Sequence, residues 1–305
     1  MAAINTDLDF EFLPYVRAYK NGHVERLMGT ESIPPGTDLE TEVSSKDITN
    51  IIPGTEVYAR IYLPKLKANN QKLPLLVYFH GGAFFLCTPS TSHYHNYLNA
   101  LVAESQVIAV SVHYRRAPEH PLPIAYEDSW AALQWVTSHS NCDGPEPLLN
   151  EHADFGRVFL AGDGAGGNIV HNLAMAAGNP DAGVNVEIMG IVLVDPYFWG
   201  SDPIGLWPLV CPSCPSNDDP WINPVGEGAP SLVELGCRRV LIFVAEKDIL
   251  KDRGRLYFQV LGRSGWMGMV EIHEADEMGH CFHFWDFNGE KAKERTRRMV
   301  NFFNN

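Results

Sequence analysis

Five consecutive residues, 162–166, read Gly-Asp-Gly-Ala-Gly and lie between an apolar run and a helix-like segment that begins at Asn168. They form the frame of a nucleophile elbow, Gly-x-Ser-x-Gly, in which a serine hydroxyl at a sharp turn between strand and helix attacks a carbonyl carbon. Gly164 stands where that serine belongs. The flanking glycines provide space for the turn, and we expect the amide of Ala165, at the start of the helix, to donate to an oxyanion.

A glycine-rich turn from strand to helix can also bind phosphate. In this chain no lysine follows the turn, and the carboxylate of Asp163 would repel an anion. The sequence therefore disfavours nucleotide binding here.

A second candidate segment, His-Gly-Gly-Ala-Phe at residues 80–84, directly follows the apolar run 75–79. Acyl transfer needs two or three N–H groups aimed at the developing oxyanion, and small residues let a carbonyl approach the backbone closely. An ordinary tight turn is the alternative, since Gly-Gly marks many turns. We expect three amides of this turn to join that of Ala165 in an oxyanion hole: Gly81, Gly82 and Ala83.

An acidic residue and a histidine should follow an elbow in that order. Asp248 follows the apolar run 240–245, where a loop carboxylate can hold an imidazole in the required tautomer. Asp252 is the alternative, but it lies one helical turn further on beside Arg253 and reads as a surface or ion-pairing residue.

His280 lies downstream of Asp248, after a short run at 270–273 that is predicted to be the last strand. Gly279 gives this loop the freedom to present a side chain. His283 lies one helical turn into an aromatic segment and is predicted to pack there. Most histidines are structural, so the position after the last strand is what favours His280 as the catalytic base.

Apolar, strand-like runs alternate with helix-like segments along the chain. The predicted strands include residues 57–63, 75–79, 107–112, 158–161, 188–194 and 240–245. Residues 126–138 and 168–177 repeat apolar side chains at helical spacing. This order predicts an α/β fold with a mostly parallel sheet, helices on both faces and catalytic groups at the carboxyl ends of the strands.

The composition narrows the function further. The 305 residues, 45% of them hydrophobic, suit one large α/β domain, and a net charge of −14 disfavours nucleic acid or an anionic membrane as a partner. The first residues lack the features of a secretory signal, so we expect a cytoplasmic protein. The six cysteines are expected to be thiols, and the pair Cys211 and Cys214 lacks the second pair that a zinc site needs.

Several ordered motifs carry a family resemblance. They are residues 80–84, residues 114–123 (Tyr-Arg-Arg-Ala-Pro-Glu-His-Pro-Leu-Pro) followed by Tyr-Glu-Asp at 126–128, and residues 162–168. Together they resemble the plant carboxylesterase family, in the hormone-sensitive-lipase-like branch of the α/β-hydrolases. The resemblance covers nearly the whole chain and implies one domain, residues 1–305, in which residues about 1–45 and about 199–225 contribute to a small helical cap.

This resemblance implies a triad of position 164, Asp248 and His280 that hydrolyses small-molecule carboxylic esters without a metal or organic cofactor. We expect the protein to be a monomer or a homodimer. Side chains near the strand ends suggest a pocket for an apolar or aromatic group, although core packing is the alternative for the aromatic ones. The expected substrate-binding residues are Phe84, Phe85, Asp163, Tyr197 and Trp199.

Two features depart from the family pattern. Gly164 cannot form an acyl-enzyme, and loss of the nucleophile from a serine-hydrolase triad costs on the order of 10⁶ in kcat. Around residues 203–207, relatives usually carry about a dozen more residues, so a mobile cap segment near the substrate is predicted to be missing.

Three hypotheses account for Gly164. In the first, the natural protein has serine there and the glycine is an alteration, which the intact Asp248 and His280 favour. In the second, the protein is a dehydratase of the 2-hydroxyisoflavanone type, in which threonine takes the nucleophile position and His280 acts as base in a β-elimination. The third is a small-molecule receptor, as the gibberellin receptors are, but these keep the serine and lose the histidine.

Overall fold

The computed structural model describes residues 7–199 and 205–305. Its strands are β1 Leu8–Phe12, β2 Val16–Tyr19, β3 Val24–Arg26, β4 Ser44–Ile48, β5 Tyr58–Leu63, β6 Leu73–Phe79, β7 Ile108–His113, β8 Ala153–Asp163, β9 Ile188–Val194, β10 Arg239–Ala245 and β11 Met269–Ala275. Its α-helices are α1 Ser92–Ser105, α2 Ile124–Thr137, α3 Pro147–His152, α4 Ala165–Ala177, α5 Trp207–Val210, α6 Lys251–Leu261 and α7 Glu290–Asn304.

Eight strands form the central sheet in the order β11-β10-β9-β8-β6-β7-β5-β4. The strands from β11 to β7 run parallel, whereas β5 is antiparallel to both of its neighbours. Every residue of β6 and of β7 is buried, because parallel strands are covered on both faces. Helix α1 packs on α7, and α2 packs on α4. The predicted α/β architecture with a mostly parallel sheet is confirmed.

The elbow helix begins earlier than the sequence pattern predicts. Helix α4 begins at Ala165, three residues before Asn168, with Gly164 as its N-cap. The apolar periodicity did not reveal this first turn because residues 165–167 are Ala-Gly-Gly, which carry almost no side chain. Strand and helix therefore meet at a single residue, Gly164.

Successive strand ends deliver the candidate residues to one edge of the sheet. The segment 80–84 follows β6, and Gly164 follows β8. Asp248 lies in the turn after β10, and His280 lies in the loop after β11. Because these strands are parallel neighbours, residues that are far apart in sequence converge at their carboxyl ends.

The N-terminal segment forms a separate antiparallel sheet in the order β1-β2-β3, so its described part is β-structure. In the second predicted cap segment, the described part contains the short helix α5. The predicted deletion near residues 203–207 falls partly on residues 200–204, which lie outside the described residues. Within residues 7–199 and 205–305, every helix is too short or too polar to cross a bilayer.

We predict that Gly166→Ala destabilises the protein, although glycine to alanine in a helix normally stabilises by about 1 kcal/mol. A Cβ at position 166 would collide with the carbonyl oxygen of Phe79 at the end of β6. Overpacking of this kind costs about 1–3 kcal/mol. Urea denaturation should therefore give a lower free energy of unfolding. Gly228→Ala is the control, because its Cβ would meet no atom within 4 Å; equal effects of the two substitutions would contradict the prediction.

Candidate active site

Gly164 adopts a backbone conformation that a side chain would strain. Its φ is +49° and its ψ is −114°, which lies in the left-handed half of φ/ψ space that favours glycine. Its N–H donates to the carbonyl of Val194 at 2.9 Å, and its carbonyl accepts the N–H of Tyr197 at 2.8 Å. These two bonds tie the turn to the end of β9. A serine held here would be exposed on the sharp, strained turn of an elbow.

The neighbouring glycines permit close backbone packing. A Cβ at Gly162 would collide with the backbone of Gly166, and one at Gly167 would lie 3.2 Å from Pro196. Residues 162, 164 and 167 also fit the spacing Gly-x-Gly-x-x-Gly, which is common to dinucleotide sites. The glycines alone therefore do not show whether this turn is a nucleophile elbow or a phosphate-binding loop. The side chains that face the turn distinguish the two.

Those side chains are His280 and Asp248. The ring Nδ1 of His280 lies 2.7 Å from Oδ2 of Asp248, whose side chain is only 1% exposed. Oδ1 of Asp248 accepts the N–H of Leu250 at 3.0 Å, which fixes the carboxylate. On the other side of the ring, Nε2 lies 3.2 Å from an ideal Cβ at position 164. Acid, histidine and position 164 thus form a line, as in a serine-hydrolase triad.

The alternative residues lie away from this line. Asp252 is 84% exposed, with 3.7 Å between its carboxylate and Arg255. His283 is buried and packs on the rings of Tyr97 and Phe284. The structure brings Asp248 and His280 to position 164, and not these two.

The carboxylates around His280 favour its protonated form. Burial lowers the pKa of the ring, but the hydrogen bond to Asp248 and the charge of Asp248 outweigh it, with smaller contributions from Asp195 and Asp163. The pKa of His280 therefore lies above its usual value. With Nδ1 bonded to Asp248, Nε2 is the atom that can exchange a proton at position 164.

Three amides are available for an oxyanion. In the described part of the chain, the N–H groups of Gly82, Ala83 and Ala165 make no hydrogen bond to the protein. Gly82 and Ala83 have φ of +93° and +56°, so this turn, like the elbow, has an unusual backbone. The expectation for Gly81 needs correction: its N–H donates to Oη of Tyr94 at 2.8 Å and to Oδ1 of Asp163 at 3.2 Å.

Asp163 has a different place from the one predicted. Although it borders the cavity, its carboxylate accepts the hydroxyls of Tyr78 at 2.8 Å and Tyr94 at 2.6 Å, besides the Gly81 amide. Burial raises the pKa of Asp163, against the opposing effect of these hydrogen bonds. The expectation of substrate contact is therefore corrected, because both carboxylate oxygens are bound within the protein. Asp163 instead links the turn at residues 80–84, which we call the oxyanion turn, to the elbow.

A cavity of about 660 Å³ opens in front of these groups. Tyr197 lines it, as predicted from sequence. Phe84, Phe85 and Trp199 are buried and do not line it, which corrects those three expectations. Phe84 packs in the core against Tyr126, in a turn where Gly82, Ala83 and Phe84 all have positive φ.

Sequence reasoning missed most of the cavity wall. The apolar or aromatic lining residues that it missed come from segments far apart in the chain and include Phe12, Tyr15, Met28, Leu206, Ile249, Phe284 and Trp285. The described lining includes no lysine or arginine. The wall therefore suits an uncharged, apolar ligand better than a carboxylate.

The remaining family motifs brace the site. Arg115 donates two side-chain hydrogen bonds to Asp128 at 2.7 and 2.9 Å. Tyr126 donates to Asn168 in the first turn of α4 at 2.6 Å, and Asn168 donates to the carbonyl of Tyr197 at 3.0 Å. Through these hydrogen bonds, Tyr126 and Asn168 hold the first turn of α4 against α2 and against the segment at Tyr197.

Comparisons with known proteins agree with this fold. A family model described as "alpha/beta hydrolase fold" matches residues 76–206 and 201–284. A hyperthermophilic esterase from the archaeon Pyrobaculum calidifontis shares the fold with a TM-score of 0.68 and 27% identity, over 85% of this chain and 84% of that one.

Two full-length plant relatives are closer in sequence. Probable carboxylesterase 2 of Arabidopsis thaliana is 46% identical over 318 aligned positions, covering 100% of this chain and 99% of the relative. The 2-hydroxyisoflavanone dehydratase of Glycine max is 42% identical, covering 96% of this chain and 97% of the relative. The 318 positions exceed the 305 residues of this chain, so the Arabidopsis relative has additional internal residues. The family model and these relatives together show that the chain belongs to the plant carboxylesterase family of the α/β-hydrolases.

Proposed function

We propose that this protein has the site of a carboxylesterase for small, uncharged carboxylic esters, and that Gly164 makes ester turnover close to lost. The observation that carries the proposal is the 3.2 Å between Nε2 of His280 and an ideal Cβ at position 164. A serine there would bring its hydroxyl to the base, opposite the free amides of Gly82, Ala83 and Ala165. These groups support a site that has the parts of the reaction other than the nucleophile.

The chemistry follows from this placement. With serine at position 164, His280 would take the hydroxyl proton as the oxygen attacks the ester carbonyl, and the three amides would stabilise the oxyanion. His280 would then give the proton to the leaving alcohol, while Asp248 stabilises the imidazolium. Water would release the acyl group by the reverse proton route. This mechanism uses only side chains and amides of the protein.

We predict that Gly164→Ser restores hydrolysis of p-nitrophenyl esters by several orders of magnitude, with an initial burst. The loss on removing such a nucleophile is on the order of 10⁶ in kcat. Stopped-flow release of p-nitrophenol measures both the burst and the turnover. Gly164→Ala is the matched control, since it adds the same Cβ without the hydroxyl, and it should remain inactive. No gain in the serine variant would refute the proposal.

We predict that the pKa of His280 lies above about 6.5, the usual value for histidine, and that Asp248→Asn lowers it. Asp248 stabilises the imidazolium by its hydrogen bond and its charge, and both are larger than the contributions that remain from Asp195 and Asp163, so its removal shifts the balance towards the neutral ring. NMR titration of the ring carbons measures this pKa, with His280→Gln to assign the signal. Since the neutral ring is the base, kcat/KM of Gly164→Ser should rise with pH through the same pKa. A pKa below the usual value would contradict the assignment.

A dehydratase is the second candidate, favoured by the relative from Glycine max at 42% identity. His280 would remove a proton next to a ketone, and the free amides would hold the enolate while hydroxide leaves. Glycine cannot supply the threonine hydroxyl of those enzymes. If this candidate is right, the protein with Gly164 should convert a 2-hydroxyisoflavanone to the isoflavone, and His280→Gln should abolish the conversion. Liquid chromatography of the products tests it, and absence of product would remove it.

The remaining expectations stay proposals. A receptor role is the least favoured, because His280 is present, whereas the gibberellin receptors lose this histidine. We retain cytoplasmic location, a monomeric or homodimeric state and a cap formed by residues about 1–45 and about 199–225. The lining residues Phe12, Tyr15, Met28 and Leu206 support the cap.

A further inference from the structure

A buried ion pair lies behind the loop that carries His280. It joins Asp195, the residue after β9, to Arg295 on α7, with 3.2 Å between Oδ2 and Nη1. The side chain of Asp195 is 0% exposed and that of Arg295 is 3% exposed. Neither group takes part in the proton transfers described above.

The carboxylate of Asp195 holds the peptide next to His280. Its Oδ2 accepts the N–H of Cys281 at 2.9 Å. Cys281 has a φ of +49°, in the left-handed region that side chains rarely adopt. A hydrogen bond to a charged carboxylate is stronger than one to a neutral group, so it can hold this strained conformation. The direction in which the ring of His280 leaves the backbone is thereby fixed.

Arg295 holds the same loop two residues further on. Its Nη1 lies 3.0 Å from Nδ1 of His283, and its guanidinium lies over the ring of Phe282 at 4.3 Å. Burial, and then the charge of Arg295, lower the pKa of His283 well below its usual value. The ring is therefore neutral, and its Nδ1 can accept the hydrogen bond from the guanidinium.

We propose that Asp195 and Arg295 are positioning residues that set the ring of His280 for proton transfer by clamping residues 281–283; this inference rests on the proposed function. Asp195 itself has a φ of +44°. Residues in strained backbone conformations persist only where the surrounding contacts hold them in place, and such residues are common next to active sites. A carboxylate oxygen of Asp195 and a ring nitrogen of His280 also lie within 4.8 Å of each other, so Asp195 adds negative charge beside the ring.

A purely structural pair that anchors α7 is the alternative. Both roles predict a lower melting temperature when the pair is broken. A pair that only anchors α7 would leave kcat unchanged, whereas a positioning role lowers it. The pKa of His280, whose other charged neighbours are Asp248 and Asp163, reports in addition the charge of Asp195 beside the ring.

The first test is kinetic and uses Gly164→Ser as the parent. Asp195→Asn, nearly the same shape without the charge, should lower kcat for p-nitrophenyl esters about 10- to 100-fold, the range for small misplacements of a catalytic group, and leave KM unchanged. The matched control is Asp47→Asn, which removes the charged partner of another buried arginine, Arg60, at 2.7 Å. It should lower the melting temperature and keep kcat. Equal kcat in the two folded variants would overturn the proposal.

The second test needs no turnover and uses the protein with Gly164. NMR titration should show a lower pKa for His280 in Asp195→Asn and no change in Asp47→Asn. Should Asp195→Asn fail to fold, Arg295→Lys, which keeps a cation but loses the contact over Phe282, should lower kcat in the same direction. An unchanged pKa and kcat in the folded variant would show that the pair is structural only. An inactive Gly164→Ser parent would instead count against the proposed function, while the titration still tests Asp195.

Discussion

Two tyrosine hydroxyls and one backbone amide converge on the buried carboxylate of Asp163, and the geometry of the site depends on this junction. Tyr78 belongs to β6, Tyr94 to α1, and the amide to Gly81 in the oxyanion turn. Asp163 itself is the last residue of β8, next to Gly164. A buried carboxylate is tolerated only when its oxygens are hydrogen-bonded, so the three donors and the acceptor hold one another in place. The turn at residues 80–84 and the elbow thus have a fixed separation whether or not position 164 carries a hydroxyl.

The fold could be predicted because it follows from short-range patterns. The apolar runs that become β6, β7 and β10 are buried on both faces, and this leaves a continuous signal in the sequence. The places of Asp248 and His280 could be predicted for a related reason. Each follows an identifiable strand, and parallel strands bring their carboxyl ends to one edge. Their places in the loops after these strands distinguish them from Asp252 and His283, each of which lies about one helical turn further along the chain.

The cavity wall could not be predicted because it depends on contacts between distant segments. Phe84 and Phe85 end and follow the turn at residues 80–84, yet both are buried in the core, and the positive φ of three successive residues, 82–84, is not visible in the sequence pattern. Phe12 and Trp285, near opposite ends of the chain, face the cavity instead. Gly81 fails as an oxyanion donor for the same reason: its amide is occupied by Asp163, and that contact spans 82 positions in the sequence.

The burial of the acidic residues changes how their presence beside Gly164 should be interpreted. Asp163, Asp195 and Asp248 are buried, and each accepts hydrogen bonds on at least one carboxylate oxygen, so loss of a partner of any of them would leave a further unpaired polar group in the interior. Selection for stability alone could retain all three. The side chain of His280, by contrast, is 46% exposed at the cavity. Its Nδ1 bonds Asp248 and serves the fold, but its Nε2, which faces position 164, has no such structural role. His280 is therefore better evidence of a catalytic site than the aspartates around it. Its presence favours catalysis at this position more strongly than the glycine at position 164 disfavours it.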